Sequence, residues 1–293
     1  MAYSKRGARP QEFASKNAHS RIINDSTVSN FLANVTLPPL GDSIMFDTAE
    51  LETVHKPQSN PIEHIIAVDG GYQDTSVRDE FPSAKIAFFQ IGALMFKLAD
   101  LDSLDNKPFI DPVDIGKLQQ MERFKFAFPT KGVVMNGEDG YKTSARRSIM
   151  NFFSESIDGK QYALAETLRW FVFEKYSASP RADWELASCP YDDCDERRIM
   201  LKDAELSKAY SWNCPTCNKT IHITDIFRLH EVIDNEQGGS GVLGYMVTLV
   251  EHIFIIHLIK IMLDTKPELL KRVLFVKDGP LAFFGQTANL QKP

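Results

Sequence analysis

The chain has 293 residues, of which 43% are hydrophobic, and a formal net charge of −6 at pH 7. This length and composition suit one main domain with a small appended or inserted one. The acidic balance argues against a protein that coats nucleic acid non-specifically, and it confines any DNA contact to a local basic surface. The basic residues 1–10 are not followed by the apolar run of a secretory signal, so the sequence predicts a cytoplasmic protein.

The first predicted elements are an N-terminal arm and the start of a sheet. Residues 1–59 are polar and interrupted by proline, which indicates an arm or extension, with a helix predicted over residues 26–33. Apolar runs at residues 65–68 and 84–96 predict two or three adjacent strands with an antiparallel start. The loop-rich segment that follows carries a predicted helix near residues 115–126.

Three further helices are predicted in the second half of the chain. Residues 144–153 and 162–176 have apolar positions at helical spacing, which indicates two amphipathic helices. The apolar stretch 242–263 approaches membrane-spanning length, but it carries ionisable side chains, so we expect a buried core helix and no membrane span. These side chains are Glu251, His252, His257 and Lys260.

All four cysteines lie in two close pairs, Cys189 with Cys194 and Cys214 with Cys217. Two such pairs on tight turns can bring four thiolates onto one zinc ion, as in a zinc ribbon. The alternatives are two disulfides or a redox pair, but a cytoplasmic compartment disfavours the first and the second needs only one pair. His222 could replace one thiolate, although four cysteines already saturate a zinc site. A site closed by four thiolates would be structural and not catalytic.

Two apolar runs end in Asp-Gly, at Asp69 and at Asp278. A buried strand that ends there holds a carboxylate at the rim of the sheet, where the glycine permits close approach of backbone or ligand. A third carboxylate, Glu251, lies in the apolar helix and must be paired, protonated or bound to a cation. Each has an ordinary alternative, because Asp-Gly is usually a turn and a buried arginine could pair with Glu251.

Three carboxylates on neighbouring elements could hold one or two Mg²⁺ or Mn²⁺ ions, which prefer oxygen ligands. Such ions stabilise the attacking and leaving oxygens in phosphodiester hydrolysis, so the pattern predicts nuclease chemistry. Lys142, Arg146 and Arg147 are candidates for phosphate contacts, although a solvated surface is the alternative for each.

Three segments together resemble the NurA nuclease family: residues 68–71, the helix around Glu251, and residues 275–281. The resemblance implies an α/β fold, with a ribonuclease H-like mixed sheet flanked by helices. It also implies cleavage of DNA with Mn²⁺ or Mg²⁺ and a HerA-type hexameric ATPase translocase as partner. In that family's terms Asp69 is the first-strand ligand, Glu251 the helix ligand, and Asp278 the ligand on the strand beside the first.

The resemblance also sets the expected domain organisation. The nuclease core would occupy residues 60–183 and 222–293, and residues 184–221 would form an inserted four-cysteine zinc ribbon. Members of the family continue well beyond the second Asp-Gly, which implies further site residues that would follow Pro293. The core is therefore expected to be truncated at its C-terminal end.

Two classes of function follow from these observations. The first is a dimeric, metal-dependent nuclease that processes DNA ends for a ring-shaped ATPase, in repair or in defence against phage. The second is a catalytically incomplete, nuclease-like subunit that anchors or regulates the ATPase. A zinc-ribbon nucleic-acid reader ranks last, because the sequence shows no strand with the aromatic and basic residues that stack and hold bases.

Overall fold

A computed structural model describes residues 25–36, 38–39, 41–45, 59–102, 119–155 and 163–283 of the chain. The chain divides into two compact units, residues 1–58 and residues 59–293. In the first unit, helix α1 (Ser26–Ala33) begins where the side chain of Asp25 accepts a hydrogen bond from the Thr27 N–H at 2.8 Å. This confirms the helix predicted for residues 26–33.

The described part of the second unit is a mixed α/β structure. Its helices are α2 (Leu98–Asp102), α3 (Tyr141–Ser154), α4 (Leu164–Val172) and α5 (Leu243–Thr265). Its strands are β1 (His64–Arg78), β2 (Phe81–Lys97), β3 (Gln119–Lys131), β4 (Asp183–Ser188), β5 (Arg197–Lys202), β6 (Ser211–Asn213), β7 (Thr220–His222) and β8 (Val273–Lys277). Short 3₁₀ turns lie between several of them, including Ile223–Phe227 directly after β7 and Pro267–Arg272 directly before β8.

The main sheet has four strands in the order β3-β2-β1-β8. The first three strands in the chain pair antiparallel with their neighbours, whereas β8 lies parallel to β1. A parallel neighbour needs a long crossover, and here that crossover includes α5. The register pairs Val68 with Lys277, so the two Asp-Gly segments lie on adjacent strands. The antiparallel start and the adjacency of the two segments were both predicted, and both are confirmed.

Helices α3 and α5 cover one face of this sheet with an aromatic core, and α4 packs against both of these helices. The ring of Phe124 on β3 meets Phe254 on α5 edge-on at 4.4 Å between centroids. Phe126 stacks on Phe152 of α3 at 4.1 Å and on Phe89 of β2 at 4.5 Å. Because side chains alternate along a strand, the residues between these buried positions point to the opposite face.

Helix α5 is buried along most of its length, as predicted from its ionisable side chains. The stretch Ser240–Thr265 is long and apolar enough to cross a membrane, but 72% of its most apolar window is buried inside the protein. Its polar groups find partners there: Thr167 Oγ1 lies 2.7 Å from His257 Nδ1, and Lys260 Nζ lies 2.9 Å from an Asp264 oxygen. The helix therefore packs as a core element of this unit.

Several predicted boundaries are wrong. Strand β1 runs through Asp69 to Arg78, so the first Asp-Gly lies within a long strand rather than at its end. Residues 119–131 form β3, which replaces the second part of the helix expected at 115–126; the first part lies outside the described residues. The amphipathic helix expected at 162–176 is limited to α4, while the one at 144–153 is confirmed as α3.

Candidate metal centres and the open face of the sheet

The four cysteines lie in the loops of two hairpins. Cys189 and Cys194 are in the loop between β4 and β5, and Cys214 and Cys217 are in the turn between β6 and β7. Each turn is closed by backbone hydrogen bonds, such as Cys189 N–H to Glu196 O and Cys214 N–H to Lys219 O, both at 2.9 Å. Asn218 follows the second pair with a φ of 57°, a left-handed conformation that asparagine tolerates.

The four sulfur atoms are arranged as a tetrahedral metal site requires. All four lie within 4.8 Å of one another, and the pairs Cys189–Cys217 and Cys194–Cys214 are 3.8 Å apart. Four ligands at a zinc–sulfur distance of about 2.3 Å in a tetrahedron would have sulfur–sulfur separations of about 3.8 Å. A disulfide bond is about 2.05 Å long, so the thiols are free. The structure thus brings the predicted ligands together around one point.

The electrostatics of the cluster differ among its thiols. Burial raises the pKa of the Cys189 thiol, because a thiolate without a partner is poorly solvated there. Burial acts on Cys214 in the same direction, but the backbone N–H groups of Cys217 and Thr216 point at its sulfur and hold its pKa below the usual value. Such N–H groups stabilise a thiolate, which is the form that binds a metal.

Arg146 was a candidate for phosphate contact, but the structure places it in the interior. Its guanidinium is 4% exposed and donates two hydrogen bonds to the carboxylate of Asp225, at 2.7 and 2.8 Å. A third bond reaches the Thr220 carbonyl, and the Tyr191 ring stacks 4.5 Å from the guanidinium carbon. This pair joins α3 to the cysteine-bearing hairpins, so Arg146 has a structural role and is not available to DNA.

The buried pair shifts the pKa values of both its members. Although burial opposes ionisation, the Arg146 charge and hydrogen bonds hold the pKa of Asp225 below its usual range. Burial lowers the pKa of the neighbouring His230, and both of its ring nitrogens lack a hydrogen-bond partner. A neutral imidazole is therefore the favoured form beside this ion pair.

The other two basic candidates lie at the surface with acidic partners. Lys142 Nζ lies 2.5 Å from an Asp192 carboxylate oxygen, and Arg147 Nη1 lies 3.0 Å from Glu138 Oε1. The Arg147 side chain is 44% exposed, so it keeps access to solvent. Exposed pairs of this kind contribute little to stability and can exchange partners.

Asp69 lies on the face of the sheet opposite α5. Its neighbours Val68 and Gly70 point towards the helices, where a Cβ on Gly70 would come within 3.1 Å of Val247 Cγ1 and 3.2 Å of Glu251 Oε1. Gly70 is therefore required for the close packing of α5 on β1 rather than for the approach of a ligand. Asp69 itself is exposed, as alternation along the strand demands.

Asp278 is the first residue after β8 and is also exposed. Because Val68 pairs with Lys277 in the parallel register, Asp69 and Asp278 are the next residues on adjacent strands. Adjacent strands lie about 4.8 Å apart, which places the two carboxyl-bearing residues side by side. Gly279 follows with a φ of 75°, so the chain turns away directly after Asp278.

Glu251 is on the helix-covered face and is engaged by a lysine. Its Oε2 lies 2.7 Å from Lys277 Nζ, and the two side chains are only 7% and 2% exposed. The sequence analysis expected a paired, protonated or metal-bound glutamate, with arginine as the alternative partner. The structure pairs it with the residue that directly precedes Asp278.

The predicted convergence of three carboxylates is therefore not present. Asp69 points to the face opposite Glu251, since alternating residues of β1 point to opposite sides. Within the part of the chain that the structure describes, the four cysteines are the one group of three or more potential metal ligands whose ligand atoms lie together. Asp69 and Asp278 remain neighbours, and Glu251 stands apart from them.

The surface on which Asp69 lies was not predicted from the sequence. A trough of about 740 Å³ runs across β1, β2 and β3 on the face away from the helices. The residues that line it and whose side chains belong to this face by alternation and register are Asp69, Gly71, Gln73, Phe88, Gln90, Gly92 and Arg123. The alternation of Phe88, Gln90 and Gly92 in β2 could have indicated this face. The sequence prediction considered aromatic and basic residues on a single strand, whereas the trough brings together Phe88 of β2 and Arg123 of β3.

Comparison of the chain with protein-family models, with curated proteins and with solved structures gives no significant match.

Proposed function

We propose that this chain is a divalent-metal-dependent deoxyribonuclease with a ribonuclease H-like core, in which Asp69 and Asp278 are the metal ligands. The observation that carries the proposal is the parallel register of β1 and β8, which makes these two residues neighbours at one end of the shared ladder. Three antiparallel strands, a crossover with a helix, and a fourth strand parallel to the first support the ribonuclease H-like assignment. The resemblance of the same segments to the NurA family agrees with it.

Two carboxylates are enough for such a site. Mg²⁺ is commonly bound through one or two carboxylates, with the phosphates of the substrate and water completing the shell. The bound cation would supply a Lewis acid that activates water and stabilises charge on the leaving oxygen. Both aspartates are exposed, so a phosphate can approach them from solvent.

In this proposal the side chains position the substrate for hydrolysis. Asp69 and Asp278 would hold the divalent cation that binds the phosphate over the end of β8, and Gly279 leaves open space beside it. A water oxygen bonds to phosphorus while the bond from phosphorus to the 3′ oxygen breaks. The protons of the water pass to the 3′ oxygen and to solvent, which leaves a 3′ hydroxyl and a 5′ phosphate.

The test is cleavage of linear DNA in the presence of Mn²⁺ or Mg²⁺ by the full chain and by Asp69→Asn and Asp278→Asn. We expect each variant to lower the rate by about 100-fold or more, because each removes a ligand charge that the transition state needs. Asp79→Asn is the matched control, since Asp79 is an exposed carboxylate on the turn between β1 and β2, remote from Asp278. Undiminished cleavage by both site variants, with a folded protein, would refute the proposal.

The pairing of Glu251 with Lys277 favours a second candidate function. A third carboxylate that is neutralised by a buried lysine supports a nuclease-like subunit that binds without cleaving. In that case the wild-type chain leaves linear DNA intact with either metal, but still forms a complex with a HerA-type hexameric ATPase. The same ATPase and a homodimer of this chain are the partners that the family resemblance proposes for an active enzyme. Gel filtration with light scattering, with and without the ATPase, measures both assemblies.

A further inference from the structure

The trough on the open face of the sheet has the chemistry of a binding surface. The register sets its side chains in three rows across the strands: Asp69, Gly92 and Arg123; then Gly71, Gln90 and Lys125; then Gln73, Phe88 and Ala127. Successive rows are two residues apart along each strand, or about 6.8 Å. This spacing is similar to the repeat of an extended polynucleotide chain.

Two positions on the floor of the trough, Gly71 and Gly92, are glycines, so no side chain fills the trough there. A Cβ on Gly71 would meet no atom within 4 Å, so the surface there is open. Gly92 lies between Asp69 and Arg123 in the first row. A ligand that enters the trough can therefore approach the backbone of β1 and β2 closely, with a carboxylate on one side and a guanidinium on the other.

An aromatic ring stands at the far end of the trough. Phe88 is 45% exposed, although four other phenylalanines of β2 and β3, at positions 89, 124, 126 and 128, are buried on the opposite face. Gln73 is its cross-strand neighbour on β1, and Gln90 is the next residue along β2 on the same face. A flat ring flanked by amide groups can stack a base and hydrogen-bond to its edge.

Charge distinguishes the two sides of the trough. Arg123 and Lys125 are exposed on β3, and the register places both on the face that carries Phe88. Asp69 lies on the β1 side of the same trough. A polyanion would therefore run with its phosphates along β3 and reach the β1 side only where a divalent cation offsets the carboxylate.

We infer that this open sheet face binds single-stranded nucleic acid, with a base stacked on Phe88 and phosphates on Arg123 and Lys125. A duplex keeps its bases stacked on one another and offers no free base face to a ring on a sheet, which selects the single strand. The inference deepens the proposed function, since it names the form of substrate that would reach Asp69. Binding itself requires neither the metal nor the cleavage step.

The experiment measures fluorescence anisotropy of a labelled thymidine homopolymer with the full, zinc-loaded chain, without added Mg²⁺ or Mn²⁺ so that no cleavage occurs. We expect Phe88→Ala to weaken binding by about 5- to 150-fold, which corresponds to the loss of one stacked base. Arg123→Gln with Lys125→Gln should reduce the slope of log affinity against log salt by about 1.4, because two phosphate contacts are lost. An unlabelled duplex of the same length should compete poorly.

Matched variants separate these effects from general ones. Phe81→Ala removes another exposed phenylalanine of β2, outside the trough, and Lys208→Gln with Lys266→Gln removes two exposed charges elsewhere. Both controls should bind as the wild type does. Equal binding by wild type, Phe88→Ala and the Arg123 and Lys125 double variant would overturn the inference. So would a dimer that Phe88→Ala dissociates while the wild type binds no homopolymer, since the face would then be a protein interface.

The two proposals can fail separately. If Asp69→Asn and Asp278→Asn still cleave DNA but Phe88→Ala loses the homopolymer, the proposed catalytic site is wrong and the binding face stands. If the aspartate variants lose cleavage but the trough variants bind the homopolymer normally, the site stands and the substrate strand takes another path.

Discussion

Three consecutive residues of β1 serve both faces of the sheet. Asp69 and Gly71 line the open trough, whereas Gly70 lies against α5. A Cβ at Gly70 would lie 2.7 Å from Ile91 Cγ1 of β2 and 3.1 Å from Val247 Cγ1 of α5, so side chains on both elements would have to shift. The position of α5, and with it that of the Glu251–Lys277 pair, thus depends on Gly70. The residue next to this glycine is Asp69, a proposed metal ligand.

At the same scale, His257 gives the protein a measurable acid sensitivity. Burial, aided by the charge of Lys260, lowers the pKa of His257 to about 4 from a usual value near 6.5. The folded state therefore binds its proton less well than the unfolded chain, and stability is complete only above about pH 6.5. Between pH 6.5 and pH 4 this residue should cost up to about 3 kcal/mol of unfolding free energy.

The measurement is urea unfolding at a series of pH values for the wild type and for His257→Gln. Other buried histidines contribute to both proteins, so the difference between the two curves isolates His257. The stability lost by the wild type on acidification should exceed that of the variant by about 3 kcal/mol. Parallel curves would show that His257 does not titrate in this range.

At the scale of elements, α5 and β8 are held together by one buried ion pair. Lys277 is the last residue of β8 and pairs with Glu251 in the middle of α5. The pair therefore fixes the position of the end of β8 and of Asp278, which follows it directly. A His252 ring nitrogen also lies 3.1 Å from the Pro280 carbonyl, which connects the same helix to the chain after Asp278. The position of Asp278, a proposed metal ligand, thus depends on contacts that α5 makes on the opposite face of the sheet.

Glu251→Gln should destabilise the protein by about 3–5 kcal/mol, because it leaves the Lys277 ammonium buried without a counter-charge. Adding Lys277→Met should restore most of that loss, since an apolar side chain of similar length then fills the space. Chemical denaturation of the two single variants and the double variant gives the coupling between them. Additive effects would mean that the two residues do not interact in solution. Metal-dependent cleavage by the stable double variant would show that Glu251 is not a required ligand.

The elements that could be predicted are those whose patterns have one structural solution. Helix α5 is apolar on every side, and the cysteine pairs have spacings that suit one tetrahedral site, so the buried helix and the clustering of the four cysteines were predicted correctly. The Asp-Gly at residue 69 was ambiguous, because the sequence of a strand does not reveal that its partner β2 extends beyond that point. Strand β3 was missed because apolar residues three apart, at positions 115, 118, 121 and 124, match a helical period, and the alternation of Phe124, Phe126 and Phe128 begins only at the end of that span. The hardest feature to predict was the face of the sheet to which each side chain points, because a shift of one residue in the register of a strand moves all its side chains to the other face.

At the scale of the whole second unit, the cysteine-bearing hairpins are joined to the helical layer through polar contacts and aromatic packing. The Arg146–Asp225 pair and the Tyr191 ring connect them to α3, and Trp212 packs 6.3 Å from Phe173 at the end of α4. The strands of the hairpins contribute buried apolar side chains to the core, among them Leu186, Leu201 and Ile221. Zinc would add the free energy that orders the two loops carrying the cysteines.

We expect one zinc ion per chain, which Cys214→Ser should remove, because Cys214 is the most buried ligand and its loss opens the tetrahedron. Zinc is measured by elemental analysis and by a chromogenic chelator after thiol modification. Two of the three tryptophans, Trp184 and Trp212, lie in the hairpins, so loss of zinc should shift the emission to the red. The strands of the main sheet carry their own core, and most of the far-ultraviolet circular dichroism should remain.

The control is Asp195→Asn, which changes an exposed carboxylate beside Cys194 and should keep its zinc. Full zinc content in Cys214→Ser would contradict a four-thiolate site.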